Sequence, residues 1–173
     1  MQIDLSGKTA LVTGSTAGIG LAIASGLANA GAQVTITGRR QDKLDNALAS
    51  IEQTSGRTDI RGIVADPGTA EGCQALTEAC PDVDILVNNL GIYGAQPFFD
   101  IADDDWDHIL EVNVMSAFRL ARHYARGMAD RGWGRSQVIS SESALNIPSE
   151  MVHYGVSKAA LQGLSRGLAK VLA

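Results

Sequence analysis

The chain has 173 residues, of which 45 % are hydrophobic and 19 % charged, as is ordinary for one globular domain with a buried core. Its formal net charge is −5, which argues against a surface for nucleic acid or anionic lipid, because either surface needs a basic face. Any phosphate-binding site must therefore be local.

Strand-like and helix-like segments alternate along the chain. Thr9–Thr13 is a short apolar run without alternation, as expected of a strand buried on both faces. The predicted strands cover residues 9–13, 32–38, 59–66, 84–89 and 136–141, and the predicted helices cover 19–31, 42–53, 69–79, 103–132 and 149–173. This alternation predicts right-handed βαβ units, and so one α/β domain over residues 1–173 with a doubly wound parallel sheet.

A glycine-rich turn, TGSTAGIG at residues 13–20, joins the first strand to the first helix. Its glycines allow a tight turn, and the helix that follows offers unpaired N–H groups and a positive dipole end to a pyrophosphate. An ordinary strand-to-helix turn would look similar, since the spacing is not the usual dinucleotide fingerprint. The predicted contacts to a dinucleotide are Gly14, Ser15, Gly18, Ile19 and Gly20.

The end of the second strand bears on which dinucleotide binds. Where an NAD site usually has an acidic residue, this chain has Gly38 followed by Arg39 and Arg40. Two arginines at a helix N-terminus oppose the dipole, so a 2′-phosphate between them favours NADP(H); the alternative is two solvated side chains. Asp66, at the end of the third strand, is either an adenine contact or a turn residue before Pro67.

Tyr154 and Lys158 are four residues apart on the last helix and so share a face. An ammonium group lowers the pKa of a nearby phenol, which suits proton exchange with an alcohol or a developing alkoxide. Ser141 is predicted to end the fifth strand, at the sheet edge where α/β proteins bind ligands. Its hydroxyl is a candidate hydrogen-bond donor to a substrate carbonyl.

The NNLG motif at residues 88–91 ends the fourth strand at the same edge. Asn89 and Gly91 are predicted either to contact the cofactor or to tie loops to the backbone. Asn113 lies inside the long helix, although asparagine is a mediocre helix former. It is either a tolerated polar residue or a polar group directed at the active site.

In this order, TGxxxGIG, NNxG, Asn113, Ser141 and YxxxK resemble the short-chain dehydrogenase/reductase family over essentially the whole chain, and loosely its 3-oxoacyl-carrier-protein reductases. The resemblance implies a Rossmann-type fold and hydride transfer between nicotinamide and an alcohol–carbonyl pair. It implies that Tyr154 is the general acid/base, and that Lys158 lowers the phenol pKa and holds the nicotinamide ribose. It further implies that Ser141 orients the substrate oxygen and that Asn113 supports a proton-relaying water.

The sequence departs from that family in two places. Leu90 stands where alanine is common, and family members continue past the last helix with two more strands and a substrate-covering loop. We therefore expect a sheet that lacks the last two strands of the family and exposes its fifth strand as an edge. The alternative to an enzyme is a module that binds dinucleotide without catalysis, or a scaffold without either activity.

Small residues recur every fourth position on the last helix, at Gly155, Ala159, Gly163 and Gly167. They allow close approach of another backbone, either within the subunit or between subunits. The family resemblance favours a homo-oligomer formed through the long helix, residues 103–131, and the last helix.

No metal site is expected, because the two cysteines and three histidines lack ligand spacing and the acidic run at residues 103–107 suits a helix N-terminus. His153 is expected on the solvent side or at the substrate mouth. Two reduced thiols, no signal pattern and no apolar run of about 20 residues predict a soluble cytoplasmic protein. The substrate is not predicted.

Overall fold

The computed structural model describes residues 3–173. The strands are β1 (Thr9–Val12), β2 (Gln33–Gly38), β3 (Arg61–Val64), β4 (Ile85–Asn88) and β5 (Arg135–Val138). The α-helices are α1 (Gly18–Asn29), α2 (Gln41–Ser55), α3 (Ala70–Ala79), α4 (Asp103–Leu110), α5 (Ser116–Asp130) and α6 (Val152–Leu172). A π-helical segment, Glu111–Met115, joins α4 to α5, and two short 3-10 turns cover Phe98–Asp100 and Glu142–Ala144.

The five strands of the described residues form one parallel sheet in the order β3-β2-β1-β4-β5. The chain thus winds outward from β1 in one direction, then returns to the other side of β1 with β4. A crevice opens at such a reversal, at the carboxyl ends of β1 and β4, and ligands of open α/β sheets bind there. The prediction of a doubly wound, Rossmann-type parallel sheet is confirmed.

Each face of the sheet carries its own hydrophobic core. Ala10 and Val12 point into the cluster under α1 and α2, whereas Leu11 points into the cluster under α3 and α5. All three side chains are fully buried, so consecutive positions of β1 must all be apolar. This explains why β1 shows no hydrophobic alternation in the sequence.

The region predicted as one long helix contains a widened turn. Residues 103–130 are helical throughout, but Glu111–Met115 forms π-helical bonds between the two α-helical parts. Such insertions in helices are frequent at functional sites. Asn113 lies inside this segment, which gives its backbone a different environment from that of an ordinary mid-helix residue.

The fifth strand is shorter than predicted. β5 ends at Val138, so Ser141 does not end a strand. Ser141 instead precedes a 3-10 turn, where its Oγ accepts a hydrogen bond from the Ser143 N–H at 3.1 Å. Within the described residues β5 pairs only with β4, and its side chains alternate between exposed and half-buried, as expected of an edge strand.

Candidate active site

The glycine turn leaves the first turn of α1 open to a ligand. Gly14 and Gly18 have positive φ angles of 60° and 56°, which side chains other than glycine rarely adopt. No side chain caps the N-terminus of α1 and no acidic residue occupies its first turn. Ala17, Gly18 and Ile19 are exposed there, so the unpaired N–H groups and the positive dipole end face outward.

Close packing holds this turn against the end of β4. A side chain at Gly20 would overlap the Gly14 carbonyl oxygen and the Asn89 amide. The Asn89 Nδ2 donates to the carbonyl oxygens of Thr13 and Gly14, each at 3.0 Å. The Asn89 side chain therefore ties β4 to the glycine turn; a direct contact to a cofactor stays a prediction.

The side chain of Ser15 faces the interior of the fold. Its Oγ donates to the Val12 carbonyl oxygen at 2.6 Å and accepts from the Thr37 N–H at 2.9 Å. Ser15 is fully buried, and these bonds fix the spacing between the turn and the end of β2. A contact between Ser15 and a dinucleotide stays a prediction.

A cleft of about 200 Å³ lies beside the glycine turn, between the ends of β2 and β3. Arg39 and Asp66 face each other across it, with Nη1 and Oδ2 3.7 Å apart and the two side chains 77 % and 41 % exposed. Asp66 also acts as a turn residue, because its Oδ1 accepts from the Gly68 N–H at 3.1 Å. The buried Thr37 Oγ1, next to this cleft, has no hydrogen-bond partner and was not identified from the sequence.

Arg40 differs from Arg39. Its Nε and Nη2 donate to the two carboxylate oxygens of Asp42 at 2.9 and 2.6 Å. This pair, mainly through its hydrogen bonds, raises the pKa of the Arg40 guanidinium and lowers the pKa of the Asp42 carboxyl. Arg40 is thus already neutralised on its own helix, and Arg39 is the better placed of the two for a phosphate beside the cleft.

Lys158 is a buried cation at the carboxyl end of the sheet. The residue is 4 % exposed, and its Nζ donates to the Ile139 carbonyl oxygen at 2.9 Å. No carboxylate of residues 3–173 forms an ion pair with it, and burial lowers the pKa of its ammonium group. A Cβ on Gly91 would lie 3.1 Å from that Nζ, so the glycine keeps space beside the ammonium.

Asn113 joins three parts of the site. Its Oδ1 accepts from the Ile92 N–H at 2.7 Å, and its Nδ2 donates to the Ile92 carbonyl oxygen and to Ser157 Oγ, each at 2.9 Å. Ser157 Oγ in turn donates to the Tyr154 carbonyl oxygen at 2.7 Å. Asn113 is fully buried, and both polar atoms of its side chain are hydrogen-bonded. These bonds connect the loop after β4 to α6.

Tyr154 lies beside Lys158, as their spacing predicts. The Lys158 ammonium lies 5.7 Å from the centroid of the Tyr154 ring. On the other side, the ring of Tyr93 meets it edge to face, with 6.2 Å between centroids and an interplanar angle of 66°. Tyr93 and Ser157 are the members of this site that sequence reasoning missed. The serine directly before the lysine in YGVSK was the available signal for Ser157.

The prediction for His153 was wrong. The residue is 5 % exposed, and its ring packs edge to face against Trp106 with 6.1 Å between centroids. Helix geometry explains the outcome, because positions 153 and 157 share a face that packs inward against α4 and the π-helical segment. His153 Nδ1 has no hydrogen-bond partner.

Residues 3–173 contain no group of three or more His, Cys, Asp or Glu residues placed to hold a metal ion. None of their helices combines the length and the apolar character that a bilayer crossing requires.

Comparison with known proteins identifies relatives over nearly the whole chain. The family model for short chain dehydrogenase matches residues 8–173. YvaG, an uncharacterized oxidoreductase of Bacillus subtilis (strain 168), is 46 % identical over 171 residues, which are 99 % of this chain and 65 % of YvaG. The 3-oxoacyl-[acyl-carrier-protein] reductase FabG of Aquifex aeolicus (strain VF5) is 35 % identical over 179 residues, covering 100 % of this chain and 71 % of FabG. The chain thus spans just under two thirds of the length of YvaG.

Solved structures agree with this result. The L-sorbose reductase of Gluconobacter frateurii, complexed with NADPH and L-sorbose, superposes with a TM-score of 0.91 at 36 % identity, covering 99 % of this chain and 66 % of that one. A 7α-hydroxysteroid dehydrogenase complexed with NADH and 7-oxo glycochenodeoxycholic acid gives a TM-score of 0.91 at 35 % identity, covering 99 % of this chain and 68 % of that one.

Proposed function

Because this chain belongs to the short-chain dehydrogenase family, we propose that it is an NADP-preferring oxidoreductase that interconverts an alcohol and a carbonyl compound. One observation carries the proposal: an uncapped helix N-terminus and the half-buried Tyr154, with the buried Lys158 beside it, lie at the same edge of one parallel sheet. The first would hold the pyrophosphate, and the second would exchange the proton. The bound nicotinamide would supply or accept the hydride.

Each catalytic side chain has a proposed role at a stated atom. The Tyr154 hydroxyl donates a proton to the carbonyl oxygen during reduction and takes it back during oxidation. The Lys158 ammonium has further N–H donors beyond its bond to Ile139, and it stabilises the phenolate electrostatically. Ser141, half-buried three residues beyond the end of β5, orients the substrate oxygen.

In this mechanism Asn113 acts by positioning. It holds the Ile92 backbone and, through Ser157, the first turns of α6, so the distance between the loop after β4 and Tyr154 is fixed. The four residues predicted from the sequence as catalytic, Asn113, Ser141, Tyr154 and Lys158, thus divide into one positioning residue and three residues that would contact reactants.

The NADP preference depends on Arg39, which lies exposed beside the cleft and is weakly paired at 3.7 Å with Asp66. A 2′-phosphate there would replace that long contact with charge-assisted hydrogen bonds worth about 1.5–3 kcal/mol. The binding test is a fluorescence titration with NADPH and NADH. We expect NADPH to bind more tightly, and Arg39→Ala to weaken NADPH by roughly 10- to 100-fold while leaving NADH within about twofold.

The matched control is Arg166→Ala, since Arg166 is exposed on α6 and bonds only to its own helix, at the Gln162 carbonyl oxygen. That variant should bind both dinucleotides as the wild type does. Equal affinities for NADPH and NADH would contradict the NADP preference, and no binding of either would contradict the proposed function.

We further propose that two copies associate through the long helix and α6. An apolar groove of about 410 Å³ lies between α5 and α6, and Val171 at its edge is 79 % exposed. The first turns of α4 carry four aspartates, whereas Arg122 and Arg126 of α5 line the groove. An antiparallel pair of these helices would bring acidic and basic ends together.

The small residues of α6 divide between a contact within the subunit and a surface open to a second subunit. A Cβ on Gly155 would press on Ile147, so that position is a contact within the subunit, whereas Gly163 and Gly167 face open space. Light scattering on Phe118→Glu tests the association, because Phe118 lines the groove and a buried charge would disrupt it. We expect a monomer for Phe118→Glu. The control Ile3→Glu, which alters an exposed residue outside the groove, should keep the mass of the wild type. Equal masses for Phe118→Glu and the wild type would contradict the interface.

We also propose a cytoplasmic location. Cys73 and Cys80 are both buried and unpaired, which is usual in a reducing compartment. Fractionation of cells that express the tagged chain would place it, and recovery outside the cytoplasmic fraction would contradict the proposal.

A further inference from the structure

Two loops flank Tyr154 and form the substrate side of the site. We call them the rim loops: residues 89–101, which follow β4, and residues 139–151, which precede α6. They are joined to each other, because the Gln96 N–H donates to the Glu150 carbonyl oxygen at 2.7 Å. Asn113 holds the first loop at Ile92, so its position relative to Tyr154 is set at two points.

Tyr93 projects from the first rim loop directly beside Tyr154. Its ring lies 6.2 Å from the Tyr154 ring, yet the residue remains 79 % exposed. The neighbouring Ile92 is bonded through both its N–H and its carbonyl oxygen, so the ring is positioned by its backbone rather than by its own burial. An aromatic face held in place beside the proton-transferring group lowers the entropic cost of stacking a ligand on it.

The rim loops also expose other apolar side chains. Leu145 is 81 % exposed and Phe98 is 51 % exposed, and Ile147 packs against the helix at Gly155, next to Tyr154. Single exposed apolar residues are ordinary, but here several are concentrated in the two loops that surround one reactive side chain. This concentration favours a substrate with an apolar or aromatic group.

The charge of the rim loops argues against anionic substrates. Residues 89–101 and 139–157 contain no lysine or arginine, and they contain the acidic residues Asp100, Glu142 and Glu150. Lys158 is buried behind Tyr154 and bonded to Ile139. A carboxylate or phosphate on the substrate would therefore lose water without gaining a cation, which is unfavourable.

We propose that this site takes uncharged carbonyl or alcohol substrates with an aromatic or bulky apolar group next to the reacting carbon, and that Tyr93 selects them. The inference rests on the proposed function, because it concerns the substrate of the same site. In the reducing direction, bound NADPH would supply the hydride to the carbonyl carbon and Tyr154 would give its hydroxyl proton to the oxygen, and the phenolate left behind would regain a proton from solvent.

Three keto compounds separate the effects of ring and charge. Methyl benzoylformate is uncharged and aromatic, benzoylformate has the same ring but a free carboxylate on the keto carbon, and methyl pyruvate has a methyl group in place of the ring. Steady-state kcat/KM is measured with NADPH for the wild type and for Tyr93→Ala, Tyr93→Phe and Tyr93→Arg. Comparing variants cancels the different intrinsic reactivities of the three ketones.

We expect Tyr93→Ala to lower kcat/KM for methyl benzoylformate by about tenfold and for methyl pyruvate by less than about twofold. Tyr93→Phe keeps the ring and should retain the wild-type preference. Tyr93→Arg supplies the missing cation and should raise the ratio of benzoylformate to its methyl ester by about tenfold.

Failure of this inference can be told from failure of the proposed function. If methyl pyruvate is reduced but Tyr93→Ala changes all three substrates equally, Tyr93 does not select substrates and the inference is wrong, while the oxidoreductase assignment stands. If the wild type prefers benzoylformate to its ester, the charge argument is wrong. If none of the three ketones is reduced, the proposed function is contradicted and the inference falls with it.

Discussion

Replacing Asn113 by leucine tests the network that joins the loop after β4 to α6. The change removes three hydrogen bonds from a fully buried residue of nearly the same shape. The N–H and carbonyl oxygen of Ile92 lose their partner, and an unsatisfied buried group costs about 1–3 kcal/mol. Ile92 is half-buried, so water recovers part of this, and Ser157 keeps its bond to Tyr154. We expect the free energy of unfolding to fall by about 2–4 kcal/mol.

Urea unfolding followed by circular dichroism measures this loss, with the slope against urea checked for two-state behaviour. Asn146→Leu is the matched control, because Asn146 is exposed and makes one long hydrogen bond, of 3.3 Å, to Glu142. Its effect should stay within about 0.5 kcal/mol. If Asn113→Leu is no more damaging than Asn146→Leu, Asn113 does not hold the site together and its positioning role is refuted.

Three further predictions concern other parts of the fold. Gly20→Val should abolish NADPH binding in a fluorescence titration, because its side chain would displace the Gly14 carbonyl and the Asn89 amide, whereas Gly26→Val, at a position with open space, should bind normally. Burial raises the pKa of the Cys73 thiol to about 11, so iodoacetamide at neutral pH should label it only after unfolding; rapid labelling of the folded protein would contradict this. Burial lowers the pKa of Lys158, so the unfolded chain binds more protons in the window below its ordinary value of 10.5. The stability of the wild type should therefore rise relative to that of Lys158→Met as the pH increases from neutral into this window, and a pH-independent difference in urea unfolding would contradict it.

Much of the fold follows from local sequence signals. Thr69 was expected to begin α3, and its Oγ1 accepts a hydrogen bond from the Gly72 N–H at 3.0 Å. The apolar run at residues 9–13 matches β1, because the burial of a central parallel strand on both faces leaves a distinct composition. Where local chemistry determined the structure, the sequence was sufficient.

Features that leave no distinct signal in the local sequence pattern were less predictable. The strand before Ser141 ends early because a 3-10 turn, capped by the serine itself, redirects the chain. His153 was misplaced because its burial depends on Trp106, a residue on another helix. The π-helical turn at Asn113 left no periodicity signal that distinguishes it from an α-helix.

In the candidate active site, too, some residues are marked by a local sequence signal and others are not. Tyr154 and Lys158 are neighbours by helical spacing alone, so their approach could be read from the sequence. Tyr93 approaches them only through the fold, since its loop is held by Asn113, twenty-one residues away from Ile92. The different engagement of Arg39 and Arg40 likewise depends on which carboxylate each one meets.

The most direct test of the proposed function is the turnover of a carbonyl substrate by Tyr154→Phe beside the wild type, at saturating NADPH. The variant keeps the aromatic ring and its contacts with Lys158 and Tyr93, and it removes only the hydroxyl. We predict that the wild type reduces methyl benzoylformate and that Tyr154→Phe lowers kcat by at least roughly 100-fold with unchanged affinity for NADPH. Equal turnover by the two proteins would contradict Tyr154 as the acid/base, and binding of NADPH by the wild type without turnover of any of the three ketones would identify a dinucleotide-binding module instead of an enzyme.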